Sequence, residues 1–259
     1  MIQKFFSPQD FDKFPPCGMF NIKHLIAIIV CTIMIILCLN YSLKNFDDFK
    51  VKKLTRIFAI IVAGLELIKI TYNFYYGYTN VDAWVPLAYC SLFIYSLFFA
   101  GYGSGLIEKL GRAFLVGGAI VGGTAFLISP STSLMLHPLF HFLSFHSLFF
   151  HSAMIYFSLL YLIKGLFIPS IDNYKYYLLF FYPFMLIALI INLIFHSNLM
   201  FLREPFNFPI KFIVDLYNKA HITFPLIVGF SYSALYVIPF GIYSLFLKKR
   251  RYNYADIIK

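Results

Sequence analysis

Four groups of side chains in this sequence can do more than pack. Cys90 stands in the run WVPLAYCSLF, a few residues inside an apolar stretch and just after Pro86. A thiol next to a histidine is activated as thiolate and can carry an acyl group as a thioester. A lone buried cysteine also serves as a small hydrophobe. The histidines come in one segment, HPLFHFLSFHSLFFH, as His137, His141, His146 and His151. With His141 at zero on a helix, Ser144 falls at about 300°, His151 at about 280° and His146 at about 140°. His141, Ser144 and His151 thus share a face, and His146 points elsewhere. His137 precedes Pro138 and is expected outside the helix.

Glu66 is the one acid deep in an apolar run, and Lys69, Asn73 and Gly77 continue its helical stripe. Such a pair either neutralises itself and ties helices together or orients a neighbouring base. The fourth group is Asn192, His196 and Asn198, followed by Arg203. Ionisable residues within a bilayer are costly, which makes all of these site candidates.

The elements that position these residues follow from composition. Of 259 residues, 61% are hydrophobic and only 12% charged, including 33 Phe and 20 Tyr. A soluble domain has about a quarter of its residues charged, and a globule this small cannot hide so many rings from water. The bilayer is the solvent. A cytosolic enzyme, a secreted disulfide scaffold and a disordered chain are excluded together. Cys17, Cys31, Cys38 and Cys90 form no C-x-x-C pair, so neither a disulfide framework nor a zinc ribbon is expected. The net charge of +10 comes from basic clusters between apolar runs rather than a basic face, which argues for orientation in a membrane and against a nucleic-acid partner. The N-terminal MIQKFFSPQDFDKFPP lacks the apolar core of a signal peptide, so the first apolar run is expected to remain as an anchor.

The expected fold is an all-α, polytopic transmembrane bundle of about seven spans in a single domain, in the cell membrane. The spans are expected over about 25–43, 57–76, 85–102, 114–128, 139–163, 176–195 and 223–247, the fourth being short. Lys and Arg outside the runs concentrate on one side: Lys44, Lys50, Lys52, Lys53 and Arg56, Lys109 and Arg112, Lys164 and Lys175, and Lys248, Lys249, Arg250, Arg251 and Lys259 in the tail. The other side has fewer than half as many, among them Lys4, and none near Thr79 or Thr132. The N-terminus is therefore expected outside and the C-terminus inside. Tyr72, Tyr75, Tyr76, Tyr78 and Trp84 would form an aromatic belt at the outer ends of the second and third spans. Gly118 and Gly122 make a G-x-x-x-G suited to close helix packing. The longest connection, Ser197 to Ile222, is the candidate extramembrane lid.

Taken in order, MFNIKHL, LELIK with Asn73 and Gly77, WVPLAYC, a Gly-rich fourth span, FFHS around His151 and NLIFHSNLMFL from Asn192 to Leu202 resemble the YwaF-like family of bacterial integral membrane proteins. The eukaryotic branch of that family contains an acyltransferase acting on ether phospholipids. The resemblance runs over nearly the whole chain. It implies that the family's P-L-x-x-C cysteine is Cys90 and its fifth-span histidine His151. It likewise puts the family's histidine before the first span at His24, its second-span acid at Glu66, and its asparagines near the sixth span at Asn192 and Asn198. The family often has a histidine between P-L and Cys, where this chain has Ala88 and Tyr89.

Three functions follow. In lipid acyl transfer or hydrolysis, Cys90 attacks an ester, His151 moves the proton, and Glu66 and Asn73 orient the base. His141, Asn192, His196, Asn198 and Arg203 would then contact a phospholipid substrate, an asparagine donating to the oxyanion and Arg203 holding a phosphate. A transporter, or a protein binding a lipid or small molecule, would use Glu66, Lys69 and the histidines as a polar path. A metal enzyme would use His141, His146, His151 and His196 as ligands, but His141 and His151 stand about 15 Å apart along one helix, too far to share an ion. No cofactor and no metal are therefore expected.

Overall fold

The computed structural model describes residues 5–10, 12–130, 133–205 and 211–247, with the side chains of 212 and 213 left aside. Lys4, Thr132, the basic tail Lys248 to Arg251 and Lys259 lie outside the described residues. The described chain is helical, without strands. Its elements are α1 (Ile22–Asn45), α2 (Asp48–Tyr75), a single turn α3 (Val81–Trp84), α4 (Leu92–Tyr102), α5 (Gly105–Gly117) and α6 (Ala119–Ile128). There follow α7 (Phe142–Lys164), α8 (Ile171–Phe195), a 3-10 turn (Leu199–Phe201), α9 (Lys211–Ala220), α10 (Phe224–Ala234) and α11 (Val237–Ile242), which runs into a π turn (Tyr243–Leu247).

Five stretches are long and apolar enough to cross a membrane: Ile22–Asn45, Gly105–Ile128, Phe142–Lys164, Ile171–Phe195 and Phe224–Leu247. The expected fourth span, 114–128, begins nine residues earlier. Its helix runs from Gly105 and passes Gly118 with only a change of direction, because Gly118 keeps a helical conformation and its N–H still reaches Phe114. Lys109 and Arg112, expected in a connection, therefore belong to a helix. Arg112 forms an ion pair with Glu108, which also holds Lys52 at 2.9 Å.

The two other expected spans differ in kind. The second is part of α2, 28 residues long, with its charges in the first turns and Glu66 and Lys69 further on. The third has a helix of only 11 residues, α4. That is about 16 Å, half of a hydrocarbon core of about 30 Å. Val85 to Ser91, the remainder of the run, is irregular. Irregular backbone at membrane depth persists only where protein buries it or a cavity meets it. Here protein does most of the covering, since Leu87, Tyr89 and Ser91 are buried.

Local chemistry explains where the helices begin and stop. Asn21 caps α1 by accepting the His24 N–H, Asp47 caps α2 through Lys50, and Ser170 caps α8 through Asn173. Gly165 ends α7 in the left-handed conformation (φ 66°), which lets its N–H and that of Leu166 bond back to Leu162 and Tyr161. Cations close the opposite end of α4, where Arg56 donates to the Gly101 carbonyl at 2.7 Å.

α7 is the centre of the bundle, packed against α1, α5 and α6, while α4 lies between α2 and α5. α1 is peripheral and presents Ile29, Ile33 and Leu37 outward, as a lipid-facing helix does. The N-terminal segment crosses the aromatic end of the bundle as a strap. Tyr72 Oη and His141 Nε2 both donate to the Ser7 carbonyl, at 2.6 and 3.0 Å, and Cys17 N–H donates to the His137 carbonyl at 2.9 Å.

Candidate functional site

Cys90 lies at the helix break. Tyr89 to Ser91 form the turn that starts α4: the N–H groups of Leu92, Phe93 and Ile94 reach back to the carbonyls of Tyr89, Cys90 and Ser91. The N–H groups of Cys90 and Ser91 themselves have no acceptor among the described residues. A helix start with free amides carries partial positive charge and favours an anion. The thiol therefore sits among donors that await one.

Two glycines of α6 make room for it. A Cβ on Gly122 would come within 3.2 Å of the Cys90 sulfur and 2.9 Å of the Met154 methyl. A Cβ on Gly123 would lie 2.7 Å from the His151 carbonyl oxygen. The close approach of α6 to α7 thus runs through Gly122 and Gly123. For Gly118, the other member of the sequence motif, the nearest atoms a Cβ would meet belong to the Phe114 ring, one turn earlier in the same continuous helix.

His151 is buried, its ring stacked on Phe126 with centroids 3.8 Å apart. Its Nδ1 is 2.7 Å from the Ser147 carbonyl. A carbonyl only accepts, so Nδ1 bears the proton, and Nε2 of the neutral ring is a free lone pair. Phe126 follows Gly122 by four residues, on the same face of α6. The sulfur and the imidazole therefore meet the same face of α6, the one at Gly122 and the other through the ring of Phe126. No hydrogen bond joins Cys90 to His151 among the described residues.

The other histidines are arranged differently. His141 caps α7: its Nδ1 accepts from Leu143 N–H at 3.2 Å while Nε2 donates to Ser7. His137 stacks flat on it, with centroids 4.2 Å apart and planes 7° apart. Burial, with the adjacent His141, pulls the His137 imidazole down to about 4. His24 has both nitrogens engaged as well, accepting from Phe20 N–H at 3.1 Å and donating to the Leu127 carbonyl at 3.0 Å. His146 is buried and directs Nε2 at Glu66 Oε2, but at 3.6 Å this is too long for a hydrogen bond, and the atom has no partner. Glu66 instead holds Lys69 at 2.5 Å. The Phe150 ring stands against both histidines, 5.8 Å from His146 and 5.6 Å from His151. The structure thus brings Glu66 to His146 and leaves it apart from His151.

The remaining candidates shape loops. Asn73 donates to the Ala83 carbonyl at 2.6 Å and holds α3 over the end of α2. Asn192 is engaged through both ends of its amide: Nδ2 donates to the Leu199 carbonyl at 3.0 Å, and Oδ1 accepts from Ser197 Oγ and Leu199 N–H, each at 2.8 Å. Asn198 donates through Nδ2 to the Glu204 carbonyl, accepts from the N–H groups of Arg203 and Glu204, and gives its own N–H to Asp82 at 2.9 Å. The Arg203 guanidinium donates to the carbonyl of His196, a residue in the left-handed conformation at φ 55°. The NLIFHSNLMFL segment is a folded turn with Leu199, Met200 and Leu202 buried. Among the described residues no three His, Cys, Asp or Glu side chains gather to hold a metal ion.

Sequence reasoning missed Gly123 and a tyrosine group around Cys90. Tyr89 stacks on Tyr232 with centroids 4.3 Å apart, and its hydroxyl meets that of Tyr177 at 3.0 Å. Among 20 tyrosines nothing in the pattern distinguishes these, whereas the adjacent glycines in VGGT were a visible signal.

A chain whose described residues are helical, without strands, and include five stretches long and apolar enough to cross a membrane is built as an integral membrane protein. It belongs to the TMEM164 family, whose model matches residues 19–253. No curated protein and no solved structure matches the chain.

Proposed function

We propose that this protein transfers or hydrolyses acyl groups of membrane lipids through a thioester on Cys90. The observation that carries this reading is the helix break. A nucleophile type stands at the start of a half-length helix, among two amides without acceptors and against the α6 face on which Phe126 carries an imidazole with a free lone pair. The motif resemblance to the YwaF-like family, with its ether-phospholipid acyltransferase branch, agrees with it. The reading takes the chain as seven crossings, N-terminus outside, with α2 and the Val85–Tyr102 segment as the second and third.

The chemistry runs in two halves. His151 Nε2 takes the Cys90 proton as sulfur attacks the ester carbonyl, and the carbonyl electron pair moves onto oxygen, facing the Cys90 and Ser91 amides. Collapse breaks the C–O bond, and the imidazolium returns its proton to the departing alkoxide. An acceptor hydroxyl, or water, then repeats the sequence on the thioester and frees the thiol. The Ser147 carbonyl fixes the tautomer, a role that sequence reasoning had given to Glu66 and Asn73.

A second reading, a transporter or a lipid- or small-molecule-binding protein, has the buried Glu66, Lys69 and His146 in its favour. One experiment separates the two. Purified protein in nanodiscs with a phospholipid carrying a labelled acyl chain should acquire hydroxylamine-labile label and transfer it, and Cys90→Ala should abolish both. Transfer that survives intact in Cys90→Ala excludes the thioester route. Proton-driven uptake into liposomes that needs Glu66 but not Cys90 favours the second reading.

A further inference from the structure

The hydroxyl of Tyr232, on α10, can be located relative to Cys90 from ring geometry. Tyr89 and Tyr232 stack almost parallel, with planes 8° apart. The hydroxyl tip of Tyr89 meets the Tyr177 hydroxyl at 3.0 Å, and that same Tyr177 hydroxyl donates to the backbone carbonyl of Tyr232 at 2.9 Å. The tip of one ring therefore lies near the backbone of the other. The two tyrosines stack head to tail, and the Tyr232 hydroxyl is carried back over the backbone end of Tyr89. That is where Cys90 and the free N–H groups of Cys90 and Ser91 begin.

The hydroxyl is lightly held there. It donates to the Met200 carbonyl at 3.3 Å, a long bond for an O–H donor. Met200 and Phe201 both adopt left-handed conformations, at φ 56° and 55°, which cost non-glycine residues about 1 kcal/mol or more each. The turn is kept in this form by the three hydrogen bonds of the buried Asn192. The purpose of such a turn is explained if its product is an aimed carbonyl, one that points the Tyr232 hydroxyl towards the thiol and can release it to a better acceptor.

We infer that Tyr232 is a catalytic oxyanion donor, its hydroxyl joining the Cys90 and Ser91 amides around the carbonyl oxygen of the lipid ester. This rests on the acyl-transfer reading. As sulfur adds to the carbonyl carbon, the negative charge forms on that oxygen, and the Tyr232 O–H turns from the Met200 carbonyl to the stronger acceptor. When the intermediate collapses to the thioester, the charge leaves and the hydroxyl returns to Met200. The tyrosine donates a hydrogen bond throughout and keeps its proton. Asn192 acts as a positioning residue, through Met200, and does not touch the ester.

The test measures the first half-reaction, the rate of hydroxylamine-labile labelling of Cys90 from a phospholipid with a labelled acyl chain, on the full chain in nanodiscs. Tyr232→Phe should lower the maximal labelling rate by about 100-fold, the usual loss for one oxyanion donor, with lipid KM changed by less than about threefold. Tyr174→Phe is the control: it removes a hydroxyl of the same aromatic group, one that donates to the Ser233 carbonyl at 3.1 Å, and should stay within about twofold of wild type. Fluorotyrosine at position 232 keeps the ring and strengthens the donor, so it covers the case in which Tyr232→Phe misfolds. It should label at least as fast as wild type. A Tyr232→Phe rate within threefold of wild type overturns the inference alone, as does a loss shared equally by Tyr174→Phe. Wild-type protein that acquires no label on Cys90 overturns the acyl-transfer reading, and the inference with it.

Discussion

The two ends of the histidine-rich segment bond the same side chain in opposite ways. At the start of α7, His141 has both ring nitrogens bonded to backbone, one to Leu143 N–H and one to the Ser7 carbonyl. Ten residues on, His151 has one nitrogen anchored on the Ser147 carbonyl and the other free. Both are buried, so burial does not tell them apart. His141 has spent its hydrogen-bonding capacity, whereas His151 keeps a lone pair in reserve, its tautomer held through the other nitrogen, as the proposed proton transfer requires. His146 is intermediate, aimed at Glu66 but bonded to nothing.

Removing each ring tests this contrast most directly. His151→Gln should reduce lipid acyl transfer by about 100-fold or more, the range for a lost general base, with the detergent-solubilised protein still folded and monodisperse. His141→Gln should keep transfer within a few-fold, since its nitrogens serve the strap and the helix cap. Equal losses in the two variants would erase the distinction.

A smaller effect is expected from the floor on which His151 rests. Gly123→Ala drives a methyl to 2.7 Å from the His151 backbone oxygen, a contact that a shift of α6 and α7 against each other relieves. Overpacking of this kind costs about 1 to 3 kcal/mol, and the shift carries His151 off Phe126. Transfer should fall about tenfold and the thermal midpoint by a few degrees. Gly64→Ala, at a glycine with open space around it, should do neither. If Gly123→Ala is as stable and active as wild type, the glycine pair does not set the His151 position.

How far these features could be read from sequence follows from what sets each one. The helices were legible because runs of apolar residues bounded by charge have one physical solution in a bilayer. The break before Cys90 was hidden by the same logic: WVPLAYCSLF is apolar throughout, and hydropathy does not show where the backbone stops being helical. Glu66 and Lys69 were visible as a pair because they are local, three residues apart. Their histidine was not, because whether His146 or His151 meets Glu66 depends on the rotation of α7 against α2. The asparagines were recognised as special, but their work is to fold a turn, which shows only when the acceptors Leu199 and Glu204 are in place.

The least expected of these effects concerns the strap. Its anchors, His137 and His141, lie outside the membrane-length stretches, and burial depresses both below the ordinary histidine value, His137 to about 4. Tyr72 shares the Ser7 carbonyl with His141, and Cys17 bonds the His137 carbonyl through its backbone. A histidine held neutral in the folded state stabilises it fully above the unfolded value of about 6.5, and that stabilisation is lost as pH falls through the folded value. Protonation also removes the Nδ1 lone pair that caps α7 and sets two cations face to face. The strap should therefore be firmly docked at neutral pH and loosen between about pH 6.5 and 4, while the Cys90 region stays closed. Hydrogen exchange of residues 5–10 and 12–20 against that of 89–95 measures the difference. Strap amides should lose protection first on acidification, and His141→Gln should show the same loosening already at neutral pH. Protection that is flat across this range in the wild-type chain would mean that the stacked histidines do not hold the strap.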